Sequence, residues 1–501
     1  MAWVAPQLQA TDYFINSKLG DDSQAGIHPD QAWKSLGKVN SRTFNAGDRI
    51  LFARGSDYTG ALILRGSGEF KGLRWNPIEI NAYGDGPLPR IQAKGKHLAP
   101  LQLIDCEGWE VRNLELSNKG DLRKPNRFGV LIKNKSLRVA RHFVLEGLLI
   151  KDVNGSYRKT QQSTGGAILV TQDGLVDRRF DSILIHKNII RNCSRNGICI
   201  RGGKLRGEFW DPSTNVIIRG NLIEGVGGDG ILPTACDAPL VEWNIMQDCP
   251  RWGKEVGAAA GMWPWACDRA LFQFNEVRGH KAWNDAQGYD CDYSCKGTVF
   301  QYNLSINNEG GFMLICSPGI KKKGWLVHNA VNEGSVVRYN LSINDGSRRV
   351  GHKNYSSPSF LITGNSTTNT HIFRNILILP RKEDPKMDTS LITFGAWGGA
   401  AAQNTSITEN AFVLLNGQVG TFKHHQTMVN TTFRENRFYG NVQPIPKHPQ
   451  VSSIRNRYSK DIPTQIDLNG PKHELEAFQS FLEKKRNPQR DHGIRIHWIG
   501  Q

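Results

Sequence analysis

From about residue 100 to residue 440, short apolar runs alternate with polar turns, and one phrase returns many times. It consists of a few β-forming residues, an asparagine, more β-forming residues and a polar turn, as in VIIRGNLIEGV, TVFQYNLSINN and SVVRYNLSIND. The phrase asparagines, 23 to 37 residues apart, are Asn188, Asn221, Asn244, Asn275, Asn303, Asn340, Asn375 and Asn410. A repeat of this length, without intervening helices, is typical of a solenoid. The sequence therefore predicts an all-β fold, a right-handed parallel β-helix, with an asparagine ladder between successive coils.

A second column consists of glycines that open short strands, as in GICIR, GMWPW, GYDCD and GFMLI. These glycines are Gly129, Gly166, Gly197, Gly230, Gly261, Gly288 and Gly311. Because side chains alternate along a strand, the first and third residues after each glycine are predicted to point inward, and the second and fourth outward. The outward pairs are then Leu131/Lys133, Ile168/Val170, Cys199/Arg201, Leu232/Thr234, Trp263/Trp265, Asp290/Asp292 and Met313/Ile315.

Both ends of a solenoid need a cover. Asp30 is expected to N-cap a short helix that carries Trp33 and Leu36. Near the other end, Pro471 to Lys485 is predicted to form an amphipathic helix with Leu475, Phe478, Phe481 and Leu482 on one side. We interpret residues 1–100 as the N-terminal cap and first coils, 101–445 as the central β-helix with the active face, and 446–501 as a tail with one helix.

The chain carries 63 Lys and Arg against 46 Asp and Glu, a formal net charge of +17. This surplus favours an anionic partner such as a sulfated or uronic-acid polysaccharide, with a merely soluble basic surface as the alternative. No nucleic-acid-binding module is recognisable, and no apolar stretch of about 20 residues predicts a membrane span. We expect neither nucleic acid nor a membrane as a partner. We expect the protein to be a monomer.

The nine cysteines have no zinc-site spacing, so most are interpreted as small apolar core residues, with a disulfide between stacked coils as the alternative. No cofactor is expected, since the adjacent Asp21 and Asp22 are too few ligands to indicate a structural calcium site.

One coil is predicted to display two carboxylates, Asp290 and Asp292, on its outward face. Their Cα atoms should lie about 6.6–7 Å apart along the strand. The preceding coil places Trp263 and Trp265 in the same two columns. Paired carboxylates can hydrolyse a glycosidic bond, and indole faces stack on sugar rings. Outward aspartates can also be simply solvated, but two of them beside two tryptophans favour a site.

Further candidates surround this pair. Asp229, Asp285 and Glu309 each lie near the same face and could supply the second carboxylate, although Asp229 could equally be a turn residue. Arg201 lies three coils before Asp292 in the same outward column and is expected to bind the substrate. A basic group could grip sulfate or carboxylate groups of a substrate, or be a solvated loop; it consists of Lys321, Lys322, Lys323, Arg348, Arg349 and His352.

The stretches GMWPWACDRALFQFNEVRG and DAQGYDCDYSCKGTVFQYNLSINNEGGFMLIC resemble the bacterial right-handed β-helix glycoside hydrolases that process fucose-containing glycans, which include α-L-fucosidases and endo-acting fucanases. YFINSKLGDDSQAGIHPDQAWKSLGKVN is similar to the first region of such secreted proteins, and the resemblance covers roughly residues 12–440. It implies hydrolysis by Asp290 and Asp292. Where the related pattern reads DGQGFD, this chain has DAQGYD, which keeps Asp285 but alters its loop.

The leading hypothesis is thus a glycoside hydrolase that cleaves a sulfated, fucose-containing polysaccharide within the chain. Two alternatives are a polysaccharide lyase on uronate chains, with Arg201 or the Lys321 region as base or charge neutraliser, and a non-catalytic glycan-binding β-helix. The first residues, MAWVAPQLQA, lack the basic and apolar regions of a signal peptide, which leaves a cytoplasmic protein and a mature exported form open. The resemblance to secreted proteins favours a secreted or periplasmic location.

Overall fold

The computed structural model describes residues 10–158, 165–172, 177–202, 210–250, 254–317, 331–348, 357–364, 367–379, 389–397, 401–415, 419–424, 428–484 and 493–500. The chain divides into two compact units. Unit 1 comprises residues 1–204 and 211–226, and unit 2 comprises residues 205–210 and 227–501. Each unit is built from coils of short parallel strands stacked in three sheets, so the predicted parallel β-helix is confirmed.

Unit 1 has three parallel sheets, in which the strands of successive coils lie side by side. The first consists of Asp12–Ile15, Arg49–Ala53, Ile78–Tyr83, Trp109–Arg112, Val139–Glu146, Arg179–His186 and Thr214–Arg219. The second consists of Thr43–Phe44, Leu62–Gly66, Leu101–Ile104, Phe128–Asn134, Gly166–Gln172 and Asn196–Arg201. The third consists of Asp57–Thr59, Arg90–Gln92, Glu115–Asn118, Leu149–Val153, Ile189–Cys193 and Leu222–Glu224.

The remaining elements of unit 1 are two short helical segments and one hairpin. A 3₁₀ turn spans Pro29–Gln31, and an α-helix spans Leu36–Asn40. Strands Glu69–Lys71 and Arg74–Asn76 pair antiparallel. The prediction that Asp30 caps the first helix is wrong, because the Ser35 side chain accepts from the Lys38 N–H and caps it instead. Trp33 precedes this helix and stacks on Tyr13.

Unit 2 repeats the three-sheet plan. Its first sheet consists of Leu240–Glu242, Leu271–Gln273, Val299–Gln301, Val336–Arg338, His371–Phe373, Ser406–Thr408, Thr431–Arg434 and Val451–Ile454. Its second contains Ile231–Thr234, Tyr289–Cys291, Met313–Cys316, Phe360–Thr363, Ser390–Phe394 and Thr421–His424. Its third consists of Ile245–Gln247, Glu276–Arg278, Leu304–Ile306, Leu341–Ile343, Ile376–Leu379, Ala411–Leu414, Arg437–Tyr439 and Arg457–Ser459.

Smaller elements complete unit 2. Three parallel strand pairs join Ala258–Ala259 to Asn284–Asp285, Asn332–Glu333 to Thr367–Thr368, and Gln465–Gly470 to Arg495–Gly500. A 3₁₀ turn spans Lys254–Val256. The predicted C-terminal helix is confirmed at Lys472–Glu483, and its buried residues are the four expected ones, Leu475, Phe478, Phe481 and Leu482.

The asparagine ladder forms as predicted. In unit 2 each asparagine donates its backbone N–H and its side-chain Nδ2 to the Oδ1 of the asparagine in the next coil, at 2.9–3.1 Å. Asn188 and Asn221 make the same two bonds in unit 1. The ladder thereby satisfies buried polar groups of one corner of every coil that it joins.

The inward positions of the strands form an apolar core, and all nine cysteines are buried thiols outside any disulfide, most of them in this core. The interpretation of the cysteines as core residues is therefore confirmed. In two coils, however, the predicted alternation is shifted by one residue. Ile168 aligns with Ile198, and Met313 aligns with Tyr289, so both point inward instead of outward. The reason is that Ala167 and Phe312, rather than Gly166 and Gly311, occupy the glycine column there.

Candidate active site

Two outward columns of the second sheet of unit 2 bring the acids and tryptophans together. Met262 bridges Tyr289, and the N–H groups of Asp290 and Asp292 donate to the carbonyls of Met262 and Pro264. This register places Trp263 beside Asp290 and Trp265 beside Asp292 in neighbouring coils, about 4.8 Å apart. The next coil continues the same columns with Leu314 and Cys316.

Only one of the two columns is open to solvent. Asp290 is 4% exposed and Trp263 is 3% exposed, whereas Asp292 and Trp265 are half-buried. The expectation that Trp263 is an exposed stacking platform is therefore wrong. Its indole N–H donates to Asp229 Oδ1 at 3.2 Å, and Asp229 also accepts from the Ala260 N–H. Asp229 is itself buried and holds Trp263 in the wall of the site.

Cys316 links the two strand carboxylates. Its Sγ–H donates to Asp292 Oδ1 at 3.3 Å and lies 3.9 Å from Asp290 Oδ1. Burial raises the pKa of this thiol well above its usual value, and the charges of Asp292, Asp290 and Asp285 raise it further. The thiol therefore stays protonated and remains a hydrogen-bond donor to the carboxylates.

The environment of Tyr293 connects a third carboxylate, Asp285, with Asp290 and Asp292. Burial raises the pKa of the Tyr293 hydroxyl, and the charges of Cys316, Asp292, Asp290 and Asp285 add to the rise. Because the charge of Asp285 raises the pKa of both Tyr293 and Cys316, we group Asp285 with Asp290 and Asp292. Sequence reasoning missed both Tyr293 and Cys316, because the predicted alternation put Met313 and Ile315 in the outward columns of the coil that carries Cys316. We call Asp285, Asp290 and Asp292 the acid cluster.

Asp285 reaches the acid cluster from a different element. It ends the short strand Asn284–Asp285, where it pairs with Ala259, and the Ala286 N–H donates to the Ala259 carbonyl at 2.7 Å. Asp285 and Ala286 have φ values of 58° and 62°. Two successive non-glycine residues in the left-handed region are costly, so surrounding contacts must hold them there.

Arg348 and Gly310 supply those contacts. The Arg348 guanidinium donates to the Trp283 carbonyl at 2.7 Å and to the Asp285 carbonyl. Gly310 donates its N–H to the Ala286 carbonyl, and a Cβ at this position would lie 1.8 Å from the Asp285 oxygen. Only glycine fits so close to the strand. We call the segment from Trp283 to Ala286 the Asp285 ledge.

This arrangement corrects the expected role of Arg348. The side chain is 3% exposed and its guanidinium donates to two backbone carbonyls, so it positions the Asp285 ledge and is not presented to a substrate anion. Lys321, Lys322, Lys323, Arg349 and His352 lie outside the described residues. Their proposed grip on an anionic substrate stays a prediction.

Two further predicted residues lie at different places. Glu309 is buried next to Gly310, and its N–H donates to the His280 carbonyl at 3.0 Å. Arg201 belongs to unit 1, where it ends the strand Asn196–Arg201 opposite Thr171 with a half-buried side chain. The catalytic role of Glu309 and the binding role of Arg201 stay predictions.

Asn332 fixes the strand ends under the acid cluster. Its buried Nδ2 donates to the carbonyls of Cys291 at 2.7 Å, Asp292 at 3.2 Å and Cys316 at 3.2 Å. The Ser335 hydroxyl donates to Asn332 Oδ1 and orients the amide. Nothing in the strand pattern marks Asn332, because its partners lie 16 to 41 residues away in sequence.

A buried polar network lies behind the Asp285 ledge. His280 Nε2 lies 3.3 Å from the Ala259 carbonyl, and because a carbonyl only accepts, Nε2 is the donor. The His280 backbone N–H donates to Asn308 Oδ1, and the Asn308 N–H donates to Asp345 Oδ1. Ser342 donates to the other oxygen of Asp345. The network therefore connects an interior carboxyl to the strand that pairs with Asp285.

We expect Asp345 to make the stability of the protein depend on pH. Burial raises its pKa from 3.8 to about 7, against opposing hydrogen bonds from Ser305, Ser342 and Asn308. Because the folded state holds this proton more tightly than the unfolded chain, this group costs stability as the pH rises from about 4 to about 7. Its contribution to the free energy of unfolding should fall by roughly 2–3 kcal/mol between pH 5 and pH 8. Asp345→Asn should flatten that dependence in urea denaturation.

The exposed Asp461 provides the matched control, since Asp461→Asn removes a carboxylate without burial and should leave the pH dependence as in the wild type. A variant Asp345→Asn that loses stability with pH as steeply as the wild type would show that Asp345 does not titrate in this range.

The acid cluster offers carboxylate chemistry. Asp285 and Asp292 are half-buried and come from two different elements, whereas Asp290 is enclosed between Trp263 and Leu314 in its column. Asp285 and Asp292 are thus the two carboxylates of the cluster that a ligand on this face can reach. Within the described part of the chain, no group of three or more His, Cys, Asp or Glu side chains could hold a metal ion.

At the N-terminus, Asp22 accepts from the Lys34 and Ser35 N–H groups and the Ser35 hydroxyl.

Comparisons with known proteins agree with the fold. A family model for the right-handed β-helix region matches residues 166–378. A lacto-N-biosidase from Bifidobacterium longum subsp. longum is 27% identical, in an alignment that covers 67% of this chain and 26% of that protein. The chain therefore spans about a quarter of the length of this curated relative.

A solved structure shows the same similarity. The GH136 lacto-N-biosidase from Eubacterium ramulus is 26% identical with a TM-score of 0.62, over 81% of this chain and 68% of that chain. The protein is thus a homologue of right-handed β-helix glycoside hydrolases, and the predicted right-handed β-helix is confirmed. Across the described residues, no helix has the length and apolar character to span a membrane.

Proposed function

We propose that the protein is a glycoside hydrolase that cleaves a lacto-N-bioside from an oligosaccharide, with Asp285 and Asp292 as the reacting carboxylates. One observation carries the proposal. Two half-buried carboxylates from separate elements belong to one acid cluster beside the half-buried Trp265. The similarity to two lacto-N-biosidases supports both the reaction class and the substrate.

The contacts around Asp285 and Asp292 suggest a role in hydrolysis for each neighbouring residue. One carboxyl protonates the leaving glycosidic oxygen, and the other attacks the anomeric carbon or activates water. The Cys316 thiol donates to Asp292, while Asn332 fixes the backbone of that residue. Arg348 holds the ledge that carries Asp285. Trp265 supplies the indole face on which the sugar stacks.

The substrate differs from the one expected from the sequence. A sulfated, fucose-containing polysaccharide has no counterpart in the names of the two relatives, which refer to lacto-N-bioside. The net charge of +17 is the observation that keeps an anionic glycan as the second candidate. We further propose a secreted or periplasmic monomer that acts without a cofactor.

A product assay tests the reaction and the substrate together. The protein is incubated with lacto-N-bioside-containing oligosaccharides, p-nitrophenyl lacto-N-bioside, fucoidan and a uronate polymer, while reducing ends and ultraviolet absorbance are followed. Release of lacto-N-biose is the expected result.

Each of the other outcomes contradicts a specific part of the proposed function. New reducing ends on fucoidan alone would show that the substrate is an anionic glycan, the second candidate, and not a lacto-N-bioside. Ultraviolet absorbance on the uronate polymer would replace hydrolysis by a lyase reaction, whose product carries a double bond. Tight glycan binding without any product would make the protein a binding module.

A further inference from the structure

A further tryptophan lies on the sheet that carries the acid cluster. Trp397 follows the strand Ser390–Phe394 and is 39% exposed. Its ring is not enclosed by the apolar core and is accessible to a ligand. The proposed mechanism makes no use of this side chain.

The register fixes where Trp397 lies. The column of Asp292 continues with Cys316 in the next coil and Thr363 in the one after it. The Trp397 N–H donates to Thr363 Oγ1 at 2.9 Å. Because Thr363 points outward like Asp292, this bond places the backbone of Trp397 on the outward face. Two coil steps place the anchor about 10 Å from Asp292 along the sheet.

An apolar floor connects the two places. Tyr293, Leu314, Cys316 and Leu361 form one cluster, and Trp265 packs against it. Leu361 belongs to the same strand as Thr363. The face therefore has a tryptophan beside Asp292, an apolar strip, and a second tryptophan anchored two coils further on. The four side chains of this floor are at most 8% exposed, so the half-buried Trp265 and the exposed Trp397 are the groups on which the C–H faces of successive sugar rings stack.

We propose that Trp397 forms a distal subsite, which stacks on a further sugar of the oligosaccharide that is cleaved at the acid cluster. This inference rests on the proposed function and deepens it. The preferred substrate is then an oligosaccharide that extends beyond the cleaved disaccharide, and its extended end lies between Trp265 and Trp397.

Chain-length dependence tests the subsite. kcat/KM is measured for p-nitrophenyl lacto-N-bioside and for lacto-N-bioside-containing oligosaccharides extended stepwise at either end. Trp397→Ala should lower kcat/KM for the longer substrates by about fivefold to tenfold, mainly through KM. The short aryl glycoside should be hydrolysed at the wild-type rate. Trp397→Phe keeps an aromatic face and should retain most of the preference for long substrates.

Phe70→Ala is the matched control, because Phe70 is an exposed aromatic residue on the hairpin of unit 1. This variant should change kcat/KM for neither the short nor the long substrates. Equal losses of Trp397→Ala on short and long substrates, or no loss on any of them, would overturn the subsite while the hydrolase stands. A wild type that releases no lacto-N-biose from any substrate would instead remove the proposed function, and the subsite with it.

Discussion

Asp292→Asn is expected to lower kcat for lacto-N-bioside hydrolysis by about 10³-fold or more, because the amide can neither donate a proton to the leaving oxygen nor attack the anomeric carbon. The fold should survive. An amide oxygen still accepts from the Tyr293 N–H, which in the wild type donates to Asp292 Oδ1 at 2.7 Å, and from the Cys316 thiol. The measurement is kcat beside the midpoint of thermal unfolding, which should change by no more than a few degrees.

Two neighbouring variants sharpen the test. Asp285→Asn should cause a loss of similar size, since it removes the second reachable carboxylate of the acid cluster. Asp290→Asn should cost only about tenfold, because Asp290 is enclosed and acts through its neighbours. If Asp290→Asn lowered kcat as much as Asp292→Asn or more, the buried carboxylate of Asp290 would be a reacting group. Unchanged turnover in all three variants would refute catalysis by the acid cluster.

The coil architecture could be predicted from the sequence because its signals are local. Each ladder asparagine lies inside its own β-forming phrase, and strand alternation assigns faces without knowledge of any distant residue. The same rule placed Asp292 in line with Trp265 correctly. It failed by one residue at Gly166 and Gly311, where Ala167 and Phe312 occupy the glycine column.

The part of the site that could not be predicted depends on distant contacts. The Asp285 ledge needs a guanidinium from Arg348, 63 residues later, and a glycine at position 310. Its left-handed backbone at Ala286 has no sequence signal, since alanine is not among the residues that adopt this conformation readily. Similarly, the burial of Trp263 follows from its bond to Asp229 one coil away. Such contacts depend on how loops of unequal length fold onto the sheet.

The asparagine ladder should contribute strongly to stability, and Asn340→Ala tests it. Asn340 Oδ1 accepts from the backbone N–H and the Nδ2 of Asn303, at 2.9 and 3.0 Å. Its own Nδ2 donates to the Phe300 and Arg338 carbonyls and to Asn375 Oδ1. Alanine would leave several of these buried groups unpaired, each at about 1–3 kcal/mol. We expect the free energy of unfolding to fall by about 3–5 kcal/mol in urea denaturation.

Asn441→Ala makes the same substitution at an exposed asparagine outside the ladder, and its cost should stay below about 0.5 kcal/mol. The contrast separates the ladder from the general effect of losing an amide. Since coils of a solenoid are stabilised mainly by their nearest neighbours, a gap at Asn340 weakens the junctions to the coils of both Asn303 and Asn375. If Asn340→Ala were no more destabilising than Asn441→Ala, the strand hydrogen bonds and the apolar core alone would hold these coils together.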